Sequence, residues 1–477
     1  MSFQQGLSGL NTASKNLDVI GNNVANSQTV GFKGSQAQFS DVYAASLTGA
    51  TGTQIGLGTK LATVAQYFTQ GNISVSNNPL DMAINGKGFF RMSEGGAISY
   101  TRNGQFQLDK QGFIVDSGAR RLTGYSVTTI PDPNDTTATI DVPDTGSPVD
   151  LRIDPNAQSS PKETTASALT FNLDSRLSPP ALGFVPTSAS PDPQTYNSAT
   201  SLQVYDSLGN AHSLTSYFVK LNQIGGVDTP NAWAVFMSLD GAPVNDGAAN
   251  TVEIGTGTGA AFANGGQPMV MQFDTDGTLL SYTVGGTYTG ASQDVTGGSS
   301  IVTNPPPTVR LNLDLVATAL DPTNVNGAAT PVDIATDMKN STQFGADFAV
   351  SVATQNGFTS GRLSGFSISP DGGVLARYTN GQTTTLGYVR LTNFPNPQGL
   401  LPTGNNQWIE SSASGQPVDG TPGVGAFGVT QSGAVEDSNV DLTKELVDMI
   451  TAQRVYQANA QTIKTQDQVL NTLVNLR

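Results

Sequence analysis

The sequence predicts a multidomain chain: all-β domains, one of them discontinuous with a second β domain inserted in it, enclosed between N- and C-terminal α-helices that form a coiled-coil-like inner domain. Three observations carry this. The chain has 477 residues, about three times the length of a typical domain. It is poor in charge, with 12% Asp, Glu, Lys and Arg, and rich in turn formers, with 53 Gly and 26 Pro, which is the composition of short strands joined by tight turns. Helical periodicity is confined to the two ends.

At the N-terminal end Leu7, Leu10, Leu17, Ile20 and Val24 recur at three- and four-residue steps or their multiples. Phe3 stands one step earlier, and Ala13 and Ser14 fill the gap in the stripe. Such a stripe is one face of a helix. Residues 1–34 and 434–477 are expected to form the helical domain, with residues 35–76 an extended linker containing a hairpin. Beyond it the sequence is punctuated by turns. Asn85-Gly86, Asn103-Gly104 and Asn380-Gly381 are hairpin signals, because both central residues of a type I′ turn need positive φ. Asp109–Gly112, Asp206–Asn210, Asp274–Gly277 and Asp371–Gly373 add related turns, most of them flanked by strand-like runs such as Leu202–Tyr205 and Leu214–Val219.

Two composition breaks divide this β region. Residues 131–193 are rich in Pro, Asp, Ser and Thr, and residues 285–331 in Gly, Thr, Asn and Pro. Read as links, they predict an inserted outer β domain at 146–341 within a discontinuous β domain made of 77–145 and 342–433. At the C-terminal end Leu442, Leu446, Met449, Tyr456, Ala460, Ile463, Leu470 and Val474 restore the helical rhythm, interrupted by Gln453 and Asp467. Ser438, three residues before Asp441, suits a capping box, and no Pro or Gly follows Ala434. A helix over 439–476 would be roughly 55 Å long.

Several functions are disfavoured by the same text. A net charge of −15 offers no basic footprint for nucleic acid or anionic lipid, and no apolar run is long enough to span a membrane. The absence of cysteine excludes thiol nucleophiles, disulfides and Cys-ligated metals. The first ten residues lack Lys and Arg, no apolar core follows them, and no cleavable signal peptide is expected. His212 is the only histidine, and its structural or solvent-exposed role is favoured over metal binding. Residues 255–260 fit G-x-G-x-x-G/A formally, but Gly265, Gly266 and Pro268 follow where a dinucleotide site needs a helix. Asp274-Thr275-Asp276-Gly277 imitates a calcium loop, yet Gly285 stands where the closing acidic ligand belongs. No catalytic constellation is visible, so neither enzymatic activity nor a cofactor or metal is expected.

The terminal stripes therefore carry the informative chemistry, since neither has a local core to meet. Either the two ends pair with each other as one coiled coil, or each pairs with its partner and with copies in neighbouring chains. In the second case polar breaks such as Asn11, Gln453 and Asp467 would set register.

Three blocks then resemble a known family. Leu7–Leu10 through Ala25-Asn26-Ser27-Gln28-Thr29-Val30-Gly31-Phe32-Lys33 is similar to the signature of bacterial flagellar rod and hook proteins. Asn78–Phe90 with Tyr100–Gly104 resembles the family's second block, and Ser438–Leu442 through Gln453-Arg454 to Leu473–Arg477 its third. Ala25, Asn26, Thr29, Gly31, Phe32 and Lys33 carry the signature. The length and the large β insertion favour the hook members over rod-type ones. The resemblance implies a flexible tubular homopolymer that transmits torque, with helices lining an inner channel and β domains outside. It further implies rod, hook cap and hook–filament junction proteins as partners, and extracellular delivery by the flagellar type III export apparatus. Leu7, Leu10, Leu17, Ile20, Val24, Leu442, Leu446, Met449, Tyr456, Ile463, Leu470 and Val474 become the expected contacts between subunits. A distal rod-type protein, or a secreted β-rich adhesin or carbohydrate-active protein, is the alternative; the latter leaves both helical ends unexplained.

Overall fold

The computed structural model describes residues 2–42, 56–132, 135–186, 188, 190–242, 252–255, 267–297, 299–302, 308–311, 327–329 and 331–475. They form two compact units, one made of Met1–Ala157 with Leu363–Arg477 and the other of Gln158–Arg362.

The first unit opens with helix α1 (Ser2–Ala25) and closes with helix α2 (Leu442–Asn475). Between them a long hairpin pairs Ser35–Val42 with Gly58–Gln66. The β core is a sheet that runs Gly373–Tyr378, Thr383–Val389, Arg121–Asp132, Phe89–Glu94, Ala97–Thr101, Gln407–Ile409. Two short pairs stitch the front of the chain to its back: Met82–Asn85 with Val429–Ser432, and Ile73–Val75 with Ala434–Glu436. Met82, Phe90, Met92, Ile114, Leu122 and Ile153 are fully buried in its centre.

The boundary expected at 146 lies later. Asp135–Asp150 is one long strand paired with Arg121–Asp132, and Leu151 and Ile153 are buried beside Leu122 and Val389. Its Pro, Ser and Thr content reads as a link, but β-branched Thr suits a strand. The register slips between Asp144 and Pro148, so Pro148 sits at an irregularity where a ladder donor is not needed. The boundary expected at 341 also moves, because Ala349–Gln355 pairs with Ala166–Asp174 inside the second unit.

Two of the three Asn-Gly turns are absent. Strand Met82–Asn85 pairs with a distant strand, and Gly86 does not turn back on it. Asn103-Gly104 follows the end of a strand; a Cβ on Gly104 would stand 1.6 Å from the Met82 carbonyl oxygen, so a close backbone approach requires this glycine. The hairpin at Phe89–Thr101 turns instead through Gly95-Gly96. Asn380-Gly381 does close a hairpin, by a turn that recurs through the molecule. In it the residue at i accepts from i+3 and donates to i+4, as at Asp109, Asp206, Asp274, Ser369 and Tyr378. This is a type I turn followed by a left-handed residue. At Asp109 and Asp206 the carboxylate also accepts two backbone N–H groups of the loop.

The second unit holds two six-stranded sheets. One is an antiparallel meander of Ser198–Tyr205, Ala211–Lys220, Ala232–Leu239, Met269–Phe273, Leu279–Val284 and Ser299–Val302. The other centres on Ala166–Asp174, which is parallel to Val332–Asp337 and Thr342–Phe344. Strand Ala232–Leu239 is buried at every position because both its faces are covered. Trp233, Val235 and Met237 enter one core with Leu169, Phe171 and Ile334, while Ala234 and Phe236 enter another with Phe184 and Val270. Its sequence, AWAVFMSL, is the near-continuous apolar run that two-sided burial produces, and its one polar residue, Ser238, donates to the Ala242 carbonyl at 2.7 Å.

The lone histidine is structural. His212 Nδ1 lies 2.6 Å from Asp240 Oδ2 and Nε2 lies 3.4 Å from Asp206 Oδ2, so the ring ties two turns at one edge of the meander. The hydrogen bond to Asp240 holds the imidazolium above its ordinary pKa of 6.5. Asp274–Gly277 is a hairpin turn. Residues 256–260 of the glycine-rich motif lie outside the described residues. Among the described residues no helix is long and apolar enough to cross a membrane.

Candidate assembly site: the paired helices and their junction

The two terminal helices pair with each other, antiparallel. Asn23 Nδ2 donates to Glu445 Oε1 at 3.1 Å near one end. A Cβ on Gly9 would stand 2.7 Å from Asn459 Oδ1, and one on Gly6 3.2 Å from Ile463 Cγ1 further along. On α1 the inward face is Gly6, Thr12, Ala13, Ile20 and Asn23. Small residues let the axes approach, and the larger side chains are turned aside.

The expected stripes are therefore corrected in detail. Of the N-terminal set only Ile20 is buried; Leu10, Leu17 and Val24 are half-buried, and Leu7 is 44% exposed. Among the described side chains of α2 only that of Ala452 is buried. Met449 and Ile463 are half-buried, whereas Leu442, Leu446, Tyr456 and Leu470 are exposed. Val447, Ile450 and Val455, which the stripe omits, are exposed as well. The side chain of Val474 lies outside the described residues. Pairing within the chain thus covers α2 only in part and leaves much of its apolar side-chain surface exposed.

The start of α2 also differs from expectation. Asp441, not Ser438, is the cap: its Oδ1 accepts from Thr443 N at 2.9 Å and Lys444 N at 3.2 Å, satisfying donors that the first helical turn leaves free. Glu445 follows in that turn, where a carboxylate suits the helix dipole, though burial pushes its carboxyl pKa up. Asn439 is held outside the helix, accepting from Gly34 N at 2.8 Å and donating to the Tyr67 carbonyl at 2.8 Å.

The hairpin lies along α1. Gln5 Nε2 donates to the Gly56 carbonyl at 2.7 Å. Asn23 and Ser35 exchange two bonds, at 2.7 and 3.0 Å. Between α1, α2 and the hairpin an open groove of about 870 Å3 remains.

The signature residues form the junction between the helices and the β core. Ala25 ends α1. Asn26 folds back on the helix through its side chain to the Asn22 carbonyl, and Thr29 N donates to the Asn26 carbonyl. Gly31 has φ +71, and a Cβ there would stand 2.5 Å from Asn103 N, so no other residue fits. Its N–H donates to the Glu436 carbonyl at 2.7 Å. Phe32 is buried beside it. Lys33 Nζ donates to Glu436 Oε1 at 2.6 Å and to the Thr69 carbonyl at 2.8 Å.

Glu436 is the centre of this knot. Its carboxylate also accepts from Gly71 N at 2.8 Å and from Arg102 Nη1 at 3.1 Å. Arg102 donates in turn to the Gly86 carbonyl and lies 5.3 Å from the Phe89 ring. The side chains of Lys33 and Glu436 are 0% exposed and that of Arg102 5%. Burial pulls the Lys33 and Arg102 pKa values down, and the attraction of Glu436 opposes it. Four chain segments meet on one carboxylate: the loop after α1, the return from the hairpin, the β core, and the approach to α2. Removing a partner from such a buried cluster costs about 3–5 kcal/mol. Sequence spacing could not find Glu436 or Arg102, since Lys33 and Glu436 are 403 residues apart.

Comparison with known proteins agrees along the whole length. Family profiles match residues 3–33 (flagella basal body rod protein), 83–157 (flagellar hook protein FlgE/F/G D1 domain), 172–358 (flagellar basal body protein FlaE D2 domain) and 431–476 (flagellar basal body rod FlgEFG protein C-terminal). The flagellar hook protein FlgE of Salmonella typhimurium is 39% identical over 479 residues, covering 100% of both chains. That of Escherichia coli K12 is 38% identical over 480 residues, again covering 100% of both. That of Borreliella burgdorferi is 30% identical, covering 100% of this chain and 99% of its own. At this identity over the full length, the chain belongs to the flagellar hook protein family.

Proposed function

We propose that the chain is a structural subunit of the bacterial flagellar hook, polymerising into a flexible tube that carries torque from rod to filament. The observation that carries this reading is the apolar surface left on α2 after the helices have paired. Leu442, Leu446, Tyr456 and Leu470 of the expected contact set lie on it, with Leu7 exposed on α1. In a tube these side chains find copies of the same chain, while Ile20, Met449 and Ile463 hold the pair together within each subunit. Contacts of this kind join different surfaces and need not close, which builds a filament in place of a ring.

The Glu436 knot gives the mechanical element. Force that reaches the helices passes to the β core through buried charge-assisted bonds, which are about twice as strong as neutral ones. The chain works by packing, and its partners are its own copies, the rod at one end, and the cap and hook–filament junction proteins at the other. Delivery through the flagellar type III apparatus to the cell exterior completes the reading.

Electron microscopy of the purified chain under polymerising conditions tests it. Tubes should form from the native chain and be lost in Leu446→Asp. Polymers indifferent to that change would refute the assignment of the exposed surface. Catalytic turnover of a glycan, abolished by one carboxylate substitution, would support the carbohydrate-active alternative, which the family comparisons do not favour.

A further inference from the structure

Asn-Gly occurs at six places in the sequence. In this dipeptide the nitrogen that follows the side-chain amide belongs to glycine, which brings no Cβ to hinder a close approach. Asn264 and Asn326 lie outside the described residues. Three of the other four pairs are held. Gly86 N donates to Gln70 Oε1 at 3.0 Å, while Asn85 Oδ1 accepts from Gln70 Nε2 at 3.2 Å. Gly104 is wedged against Met82: its carbonyl accepts from Met82 N at 2.9 Å, and a Cβ would stand 1.6 Å from the Met82 carbonyl oxygen. Asn356 Oδ1 accepts from Thr165 N and Ala166 N, each at 3.0 Å, and its Nδ2 donates to Thr165 Oγ1 at 2.9 Å. A Cβ on Gly357 would stand 2.4 Å from Thr164 Oγ1. The fourth pair differs. Asn380-Gly381 lies at the tip of the hairpin that joins Gly373–Tyr378 to Thr383–Val389. Gly381 and Gln382 are exposed, and nothing lies within 4 Å of the place a Gly381 Cβ would take. Gln382 N donates to Asn380 Oδ1 at 3.1 Å, so the side-chain amide is folded over the residues that follow it.

We propose that Asn380 is a modification site, converted without an enzyme to an aspartyl or isoaspartyl residue. The Gly381 nitrogen gives its proton to hydroxide and bonds to Asn380 Cγ. Negative charge then develops on Oδ1, where the Gln382 N–H stabilises it. The Cγ–Nδ2 bond breaks, Nδ2 takes a proton from water, and ammonia leaves. Water opens the five-membered succinimide that remains. Attack at Cγ restores the ordinary backbone with an aspartate side chain. Attack at the backbone carbonyl carbon of residue 380 routes the chain through Cγ and lengthens the turn by a methylene. In sum one water is consumed and one ammonia is released, and nothing is oxidised or reduced. Each event adds a negative charge to a chain already at −15. The isoaspartyl product also disturbs the two bonds that close the turn, Gly381 N to the Tyr378 carbonyl at 3.0 Å and Tyr378 N to the Gln382 carbonyl at 2.9 Å.

This site is independent of the polymerising reading, and the native full-length chain tests it without a variant. Cleavage after Arg377 and Arg390 releases Tyr378–Arg390, in which Asn380 is the only asparagine. The folded chain is aged in mildly alkaline buffer made with heavy-oxygen water, digested, and read by mass spectrometry. Label should enter this peptide faster than the peptides of Asn85, Asn103 and Asn356 by about tenfold or more, the scale on which orientation alone changes rates. In chain aged in denaturant the four rates should converge. An isoaspartyl-specific methyltransferase should mark part of the labelled Tyr378–Arg390. Equal rates at the four sites of the folded chain would overturn the proposal. So would a rate at Asn380 that is lower in the folded chain than in the unfolded one, since the turn would then protect the amide. Label without any isoaspartyl product would refute the ring-closing route.

Discussion

The strand Ala232–Leu239 and the helix α2 are both strongly patterned segments, yet they end in opposite states. Every residue of the strand is buried, between two cores of the same unit. Among the described side chains of α2 only that of Ala452 is buried, although the helix carries Leu446, Val447, Ile450, Val455 and Leu470. Apolar burial is the main force in folding, so the inserted unit has already collected its share and the helix has not. The first segment is finished by its own chain, and the second is left largely exposed by it.

The largest effect that would sharpen this contrast is at the centre of the inserted unit. Trp233→Ala should lower its stability by about 3–5 kcal/mol, read by denaturant unfolding of the full chain. Next is the junction. Glu436→Ala leaves Lys33 and Arg102 buried without their carboxylate and should cost the first unit about 3–5 kcal/mol, while the melt of the inserted unit stays in place. A common shift of both transitions would show that the two units do not unfold separately.

Leu446→Asp reverses the pattern. In the monomer the side chain is 44% exposed, so the change should fall within about 0.5 kcal/mol, yet tubes should be lost. Lys464 is exposed too, and Lys464→Glu reverses a charge without removing an apolar group; it should be the milder of the two when hook length and motility are scored. A more severe defect from Lys464→Glu would mean that the wrong flank of α2 has been assigned to the contact.

The smallest expected effect concerns His212. Its folded pKa is raised above 6.5 by Asp240, so the stability it contributes is present in full below the unfolded value and is lost as pH rises through the raised one. The inserted unit should melt lower on the alkaline side of that window, and His212→Gln should flatten the dependence. A slope that survives the substitution would assign it to other groups.

How much was legible follows from how local each determinant is. The turns at Asp109, Asp206 and Asp274 could be read because an Asp and a Gly three residues on meet their own loop. The helices could be read because their periodicity is continuous. Asn85-Gly86 misled because its strand partner, Val429–Ser432, lies far along the chain. Asp135–Asp150 misled because a strand that carries Pro143 and Pro148 reads as a link. The helix contact misled most usefully. A search for large apolar residues finds Leu7 and Leu446, but the close face is made by Gly6, Gly9, Ala13 and Ala452, and the large residues are left exposed. The knot of Lys33, Arg102 and Glu436 depends on three distant segments, and no local pattern announces it.

The central claim is that neighbours complete α2, and amide hydrogen exchange of the same chain before and after polymerisation tests it most directly. A helix held along one narrow face should open readily, so the amides of residues 446–470 should exchange quickly in the monomer and slowly in the tube. Those of Ala232–Leu239 should be equally protected in both. Equal protection of residues 446–470 in the two states would contradict the account, because pairing with α1 alone would then be enough to hold the helix.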